Sequence, residues 1–246
     1  MSNRFYVEQP LPSRGKVLLL DAEESHHLLK VMRCRPGDRI RVFHNGCEAW
    51  AALLGQEGKQ ARLEIQESVQ PPAPARLGFH AIIPMLRGGK TEWIVQKLTE
   101  LGVRSICVFH GRREVTQGSA DKLSRLRKVM IEACKQCERA DIPGIAESDS
   151  LRNAFVMYKD LNAFPVLLHE REGGLYLGTR LRELFETGQF PPNIVCASGP
   201  EGGFDPAELQ FDEPQPEFVT LGARILRADT APLVAFAAAL AIGNEL

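Results

Sequence analysis

The sequence predicts an α/β chain in two parts, a small barrel of short strands followed by a mostly parallel sheet with helices on both faces. Three observations predict it. Short strand-like runs with a single helical stretch fill residues 1–70, a proline-rich connector breaks the pattern, and strand and helix patterns then alternate to the end. Near the C-terminus, Gly199-Pro200-Glu201-Gly202-Gly203-Phe204 and Leu221-Gly222-Ala223-Arg224-Ile225-Leu226-Arg227-Ala228-Asp229-Thr230-Ala231 each follow an apolar run and precede a helix-like one. Each reads as a loop at the carboxyl edge of a sheet, where ligands bind in such folds. Glycines there let main-chain amides and carbonyls approach a nucleotide-like molecule closely. One such loop would read as a tight turn, whereas a pair this close in sequence reads as a site.

At 246 residues with 44% apolar content the chain can bury a substantial core. Its formal net charge of -1 excludes a generally basic nucleic-acid binder, so any RNA contact must come from local patches. Six cysteines give no disulfide-scaffold density, and the opening Met-Ser-Asn-Arg-Phe has no apolar leader, so the expected compartment is the reducing cytoplasm. Cys134 and Cys137 form a C-x-x-C inside a helical pattern with no second pair to complete a zinc site. No metal is expected, and small core residues on one helix face are the better reading.

Taken in order, strands are expected over 5–7, 16–20, 39–44, 47–54 and 60–66. Asn45-Gly46 between two of them is the strongest hairpin signal in the chain. Asp21 and Glu24 make a capping-box-like start for a helix through His27, Leu28 and Met32. Arg33, Arg35, Arg39 and Arg41 surround the turn Pro36-Gly37-Asp38. They read either as a solvated strand face or as a grip on RNA phosphates. From 69 to 76 the chain runs Val-Gln-Pro-Pro-Ala-Pro-Ala-Arg, a stiff connector that cannot continue a strand ladder. The boundary is drawn here: 1–70, a linker over 71–76, and 77–246.

Beyond the linker, 77–83 is a buried strand, 91–101 a helix closed by Gly102, and 105–109 a strand. Trp93, Ile94, Lys97, Leu98 and Leu101 give that helix its 3.6-residue stripe. Gly89-Lys90-Thr91 resembles the tail of a phosphate-binding P-loop, but the required glycine five residues earlier is Pro84. A helix over 120–138 follows, with Leu123, Leu126, Met130, Ala133 and Cys137 inward, and then strands over 164–169, 193–198 and 217–221. Residues 112–139 hold eight Lys or Arg against four acids. Arg125, Lys128, Lys135 and Arg139 lie off the apolar stripe, either as a plain charged face or as a polyanion track. The last helix, 230–243, is apolar nearly all round and too short to span a bilayer, which takes ~20 residues. It must be covered on more than one side, most economically by a second subunit.

These residues resemble the RsmE family, the 16S ribosomal RNA uridine-N3 methyltransferases of the SPOUT superfamily. The resemblance runs through His26-His27-Leu28, Arg33 and Gly37-Asp38, then Lys90, Glu92 to Lys97 and Thr99 to Val103. It continues in Gln136, Arg139 and Pro143, in Gly199 to Phe204 with Glu208, and in Leu221-Gly222 with Arg224 to Arg227, Thr230 and Ala231. The family usually carries an acidic residue where Gly89 stands and a glutamate where Asp229 stands.

The resemblance implies an N-terminal PUA-like β-barrel and a C-terminal SPOUT α/β domain whose tail threads a trefoil knot. It also implies an obligate homodimer, S-adenosyl-L-methionine as cofactor, and small-subunit 16S RNA as partner. Leu168, His169, Gly199, Pro200, Glu201, Gly202, Gly203, Leu221, Gly222, Arg224, Ile225, Leu226 and Thr230 are then the cofactor set. His169 sits at the pocket edge or is structural. Arg139 is the candidate to stabilise negative charge on the uracil. Glu201 accepts its proton or holds its own loop. Arg227 pairs with Asp229 or meets substrate.

Overall fold

In the N-terminal part, side chains alternate between a buried and an open face, and five strands follow from that period. The computed structural model describes residues 3–111, 120–170, 174–212 and 214–245. It divides into two compact units, Met1–Pro74 with Ile131–Ile142, and Ala75–Met130 with Pro143–Leu246.

The first unit contains β1 (Arg4–Tyr6), β2 (Val17–Leu19), β3 (Arg39–His44), β4 (Cys47–Glu57) and β5 (Gln60–Val69). They form one sheet in the order β1-β3-β4-β5-β2, with β1 parallel to β3 and the other pairs antiparallel. Every strand contributes to one core, which includes Phe5, Leu18, Ile40, Val42, Leu53 and Leu63. Ile40 and Val42 point inward, which turns Arg39 and Arg41 to the opposite face of β3.

The helix after β2 begins as α1 (Ala22–His26) and continues as a π-helical turn, His27–Val31. Asp21 caps it, its carboxylate accepting from Glu24 N–H at 2.8 Å. The reciprocal half of the capping box is absent. The Glu24 carboxylate instead accepts from Lys135 Nζ at 2.8 and 3.1 Å. Lys135 therefore corrects a sequence expectation: only 4% of it is exposed, and it also pairs with Glu132, so it cannot belong to an RNA track. Burial disfavours its charge, but the hydrogen bonds and attraction of Glu24 and Glu132 outweigh that and hold its pKa above the ordinary lysine value.

A second buried pair lies nearby. Arg4, fully buried, donates two parallel hydrogen bonds to Glu48 at 2.9 and 3.0 Å, and a third to the Cys134 carbonyl at 2.7 Å. A fork-shaped guanidinium can satisfy a carboxylate and a helix-end carbonyl at once, which a lysine could not.

The second unit is built on a seven-stranded, wholly parallel sheet in the order β10-β12-β9-β11-β6-β7-β8. Its strands are β6 (Gly78–Pro84), β7 (Ser105–Phe109), β8 (Gly144–Ser148), β9 (Phe164–Leu168), β10 (Leu175–Tyr176), β11 (Asn193–Ala197) and β12 (Glu217–Thr220). The central ones are near-continuous apolar runs, as burial on both faces requires. The helices are α2 (Lys90–Leu101), α3 (Ala120–Cys137), α4 (Leu151–Val156), α5 (Leu177–Glu186) and α6 (Ala231–Ile242), with α3 running from this unit into the first.

Two helix stripes differ from expectation. In α2 the buried set is Thr91, Ile94, Val95, Leu98 and Thr99, while Trp93 is 43% exposed and Lys97 lies at the margin. In α3, Cys134 rather than Cys137 is fully buried. Burial pushes the Cys134 thiol up to about 12, which suits a core residue and not a metal or redox centre. Helix α6 packs on α2 and α5 and stacks Phe236 on Phe79 at 4.2 Å. Val234 and Ala241 on its other side remain exposed.

Candidate active site

Strands β12, β9 and β11 are neighbours and parallel, so their carboxyl ends open on one edge of the sheet. The segments that leave them carry the glycine-rich motifs, which brings residues far apart in sequence around one cavity of about 650 Å³. It is lined by Leu168, His169 and Glu170 after β9, Gly199 to Phe204 after β11, and Thr220 to Ala228 after β12, with Lys90 and Ala231.

The first loop is fixed at both ends. Ser198 N–H donates to the Ile82 carbonyl at 3.0 Å, and a capping box between Asp205 and Glu208 starts a short 3₁₀ turn. Within it Phe204 folds over Gly199, where an added Cβ would lie 2.8 Å from the ring. The Phe204 ring stacks with His169 at 6.3 Å and an interplanar angle of 15°. His169 N–H donates to the Val219 carbonyl at 2.8 Å, continuing the strand pairing one residue past β9. Lys90 donates to Glu201, fastening this loop to the start of α2.

In the second loop Gly222 has φ +128°, a conformation that L side chains rarely adopt, and an added Cβ there would meet no protein atom within 4 Å. It would enter the cavity. Bare backbone from these glycines and the apolar side chains of Leu221, Ile225 and Leu226 suit a purine nucleoside, and Lys90, Arg224, Arg227, Glu170 and Glu201 supply charges of both signs for an amino-acid tail. The residues present fit a nucleoside cofactor that carries an amino acid.

Twelve of the expected cofactor residues line this cavity and one, Thr230, does not. Thr230 lies in a second recess of about 550 Å³, with Gly88, Gly89, Lys90, Trp93, Arg227 and Asp229. Its hydroxyl donates to Asp229 at 3.1 Å. Among the described residues Arg227 and Asp229 form no ion pair, so that alternative falls. Lys90, Glu170, Phe204 and Arg227 were outside the expected cofactor set. In the sequence Lys90 belongs to a failed P-loop and to the family motif, and the folded edge brings it to the cavity wall.

Arg139 does not line either recess. It belongs to the first unit, where it is 11% exposed in its side chain and donates to Asp141 at 2.5 Å. Of the expected RNA contacts, Arg33, Arg35 and Arg39 are exposed, and Arg39 stacks over Trp50 at 5.0 Å while pairing with Glu67. Arg41 is half-buried between Glu138 and Glu48. In the second unit Arg125 and Lys128 are exposed, with Arg125 3.1 Å from Glu92. Arg112 and Arg113 of the basic segment lie outside the described residues. Among the described residues no group of His, Cys, Asp or Glu is placed to hold a metal, and no helix is long and apolar enough to cross a membrane.

Residues 73–240 match the RNA methyltransferase domain, and residues 20–66 match the RNA methyltransferase PUA domain. A ribosomal RNA small subunit methyltransferase E from a Synechocystis species is 31% identical over 224 residues, covering 89% of this chain and 71% of that one. The chain belongs to the ribosomal RNA small subunit methyltransferase E family. The Bacillus subtilis member is 28% identical over 227 residues, covering 89% of this chain and 88% of its own. The crystal structure of the Neisseria gonorrhoeae member, described as bound to S-adenosyl methionine, superposes with a TM-score of 0.81 at 29% identity over 98% of both chains. The methyltransferase E fold thus accounts for both sheets, an N-terminal PUA-like module and a C-terminal α/β methyltransferase domain of the SPOUT type.

Proposed function

We propose that this chain transfers a methyl group from S-adenosyl-L-methionine to N3 of a uridine in 16S ribosomal RNA of the small subunit. The single observation that carries the reading is the cavity at the carboxyl ends of β9, β11 and β12, walled by the two glycine-bearing loops, with Gly222 at φ +128° and no protein atom within 4 Å of a Cβ added there. The cofactor supplies an electrophilic methyl on a sulfonium. The chain's residues do the rest: Gly199, Gly202, Gly203, Leu221 and Gly222 with Ile225 and Leu226 enclose adenine and ribose, and Leu168, His169, Pro200 and Arg224 close the rim.

N3 of uracil carries a proton and points into base pairs, so the nucleotide must leave its stack before it can react. Arg33, Arg35, Arg39, Arg125 and Lys128 are accessible cations that suit the surrounding phosphates. Arg139, held by Asp141, is proposed to face the uracil oxygens from a second copy of the chain. Glu201 is engaged by Lys90, which favours its loop-holding role over proton transfer. The exposed Val234 and Ala241 on a helix that is apolar nearly all round support a homodimer. The working compartment is the cytoplasm.

Mass spectrometry of 16S RNA from a strain lacking this protein tests the reading. One methyluridine should disappear and return when the chain is restored. An unchanged set of modified nucleotides would refute it.

A further inference from the structure

The second recess holds Trp93 and Asp229, neither of which lines the cofactor cavity. Trp93 turns its side chain outward although it sits on a helix whose neighbours are buried. Beside it are Asp229, Lys90 and Arg227, and the last two also wall the cofactor cavity, so the two spaces adjoin. A planar aromatic, a carboxylate and cations around one opening match an unstacked pyrimidine, which offers a π-face, an N–H donor and carbonyl oxygens. The state of the carboxylate matters. Asp229 accepts from the Thr230 hydroxyl through Oδ1 and has no cation partner among the described residues, leaving Oδ2 as an acceptor. Glu201, the other carboxylate at this edge, is occupied by Lys90.

We infer that this recess receives the target uracil, stacked on Trp93, and that Asp229 is the catalytic residue that takes its N3 proton. The inference rests on the proposed methyl transfer to uracil N3. In the step, the N3–H proton passes to the Asp229 carboxylate. The electron pair left on N3 forms the N3–carbon bond, and the pair of the breaking sulfur–carbon bond returns to sulfur, which becomes a neutral thioether. Thr230 is a positioning residue that fixes Oδ1 so that Oδ2 faces the base.

The test uses the full-length protein, small-subunit RNA and three variants, Asp229→Asn, Asp229→Glu and Trp93→Leu. Asp229→Asn keeps the acceptor for Thr230 and should leave S-adenosylmethionine affinity within about twofold while single-turnover methylation falls about 10²–10⁴-fold. Its residual rate should rise in proportion to hydroxide, because solvent must then remove the proton, whereas the unaltered enzyme levels off. Asp229→Glu should restore most of the rate. A second readout does not depend on turnover. With S-adenosylhomocysteine present, the unaltered protein should bind an RNA carrying uridine at the target at least about tenfold more tightly than one carrying N3-methyluridine, and Asp229→Asn should lose that preference. Trp93→Leu should weaken binding of the uridine RNA about 5- to 150-fold.

Asp229→Asn with an undiminished rate, or with an unaltered pH profile and an intact preference for uridine, overturns the inference while the methyltransferase reading stands. Absence of methyl transfer to RNA by the unaltered protein overturns both.

Discussion

Replacing Gly222 with alanine separates backbone strain from steric exclusion. At φ +128° the residue occupies a region nearly reserved for glycine, and the new Cβ would meet no protein atom within 4 Å. The cost therefore cannot come from a clash inside the protein. It comes from holding an L residue in a disfavoured conformation, about 1–3 kcal/mol, and from a methyl group that projects into the cofactor cavity. If the loop keeps its shape, the strain appears as lost stability, roughly 2–4 °C in Tm per kcal/mol for a chain of this size. If the loop relaxes, the strain is charged to binding, and at about 1.4 kcal/mol per tenfold the affinity for S-adenosylmethionine should fall about 5- to 150-fold. The assay is calorimetric titration of the cofactor without RNA, together with a thermal scan of the free protein. Gly222→Val should be worse on both counts, since its branch adds bulk inside the cavity. A Gly222→Ala variant with affinity within about twofold of the original and an unshifted Tm would refute the assignment of this loop as a strained cradle.

Other outcomes follow from the same contacts. Glu48→Ala leaves the fully buried Arg4 without its carboxylate and should cost about 3–5 kcal/mol by chemical denaturation, while Arg4→Met with Glu48→Leu should recover part of that loss. Burial pushes the thiols of Cys107 and Cys134 up to about 12, so at pH 8 roughly one in 10⁴ is ionised. In a thiol-labelling time course exposed Cys47 should react first and these two only on unfolding. Arg139→Ala should leave cofactor affinity nearly unchanged while methylation falls at least about tenfold, and equal methylation would remove Arg139 from the reaction.

Local chemistry made much of this molecule legible. Apolar patterning, alternating in β3 and nearly continuous in β6, β7, β9 and β11, located these strands and β12 to within a residue or two, because burial on one or both faces of a sheet is written directly into the sequence. The two glycine-bearing loops after β11 and β12 marked the cavity, since few other roles demand bare backbone there. What stayed hidden depended on partners distant in sequence. Lys135 reads as a surface lysine until Glu24 is brought beside it, 111 residues away. Trp93 reads as core by period alone, yet the face of α2 that is buried carries Thr91, Ile94, Val95, Leu98 and Thr99 and leaves Trp93 open. The short elements β8, α4 and β10 carried too few periodic residues to stand out, whereas α5 carries Leu177, Leu181 and Leu184 at helical spacing, a signal the expectations omit. Arg227 and Asp229 are close enough in sequence to suggest an ion pair, but the turn between them points the carboxylate to Thr230 instead.

A crystal of the full chain grown with S-adenosylmethionine is the most direct measurement of the central claim. The account predicts the adenosyl group between the segments that follow β11 and β12, against Gly199, Gly222 and Leu226. Cofactor density at any other place, or these two loops closed upon each other with no ligand between them at saturating concentration, would contradict it.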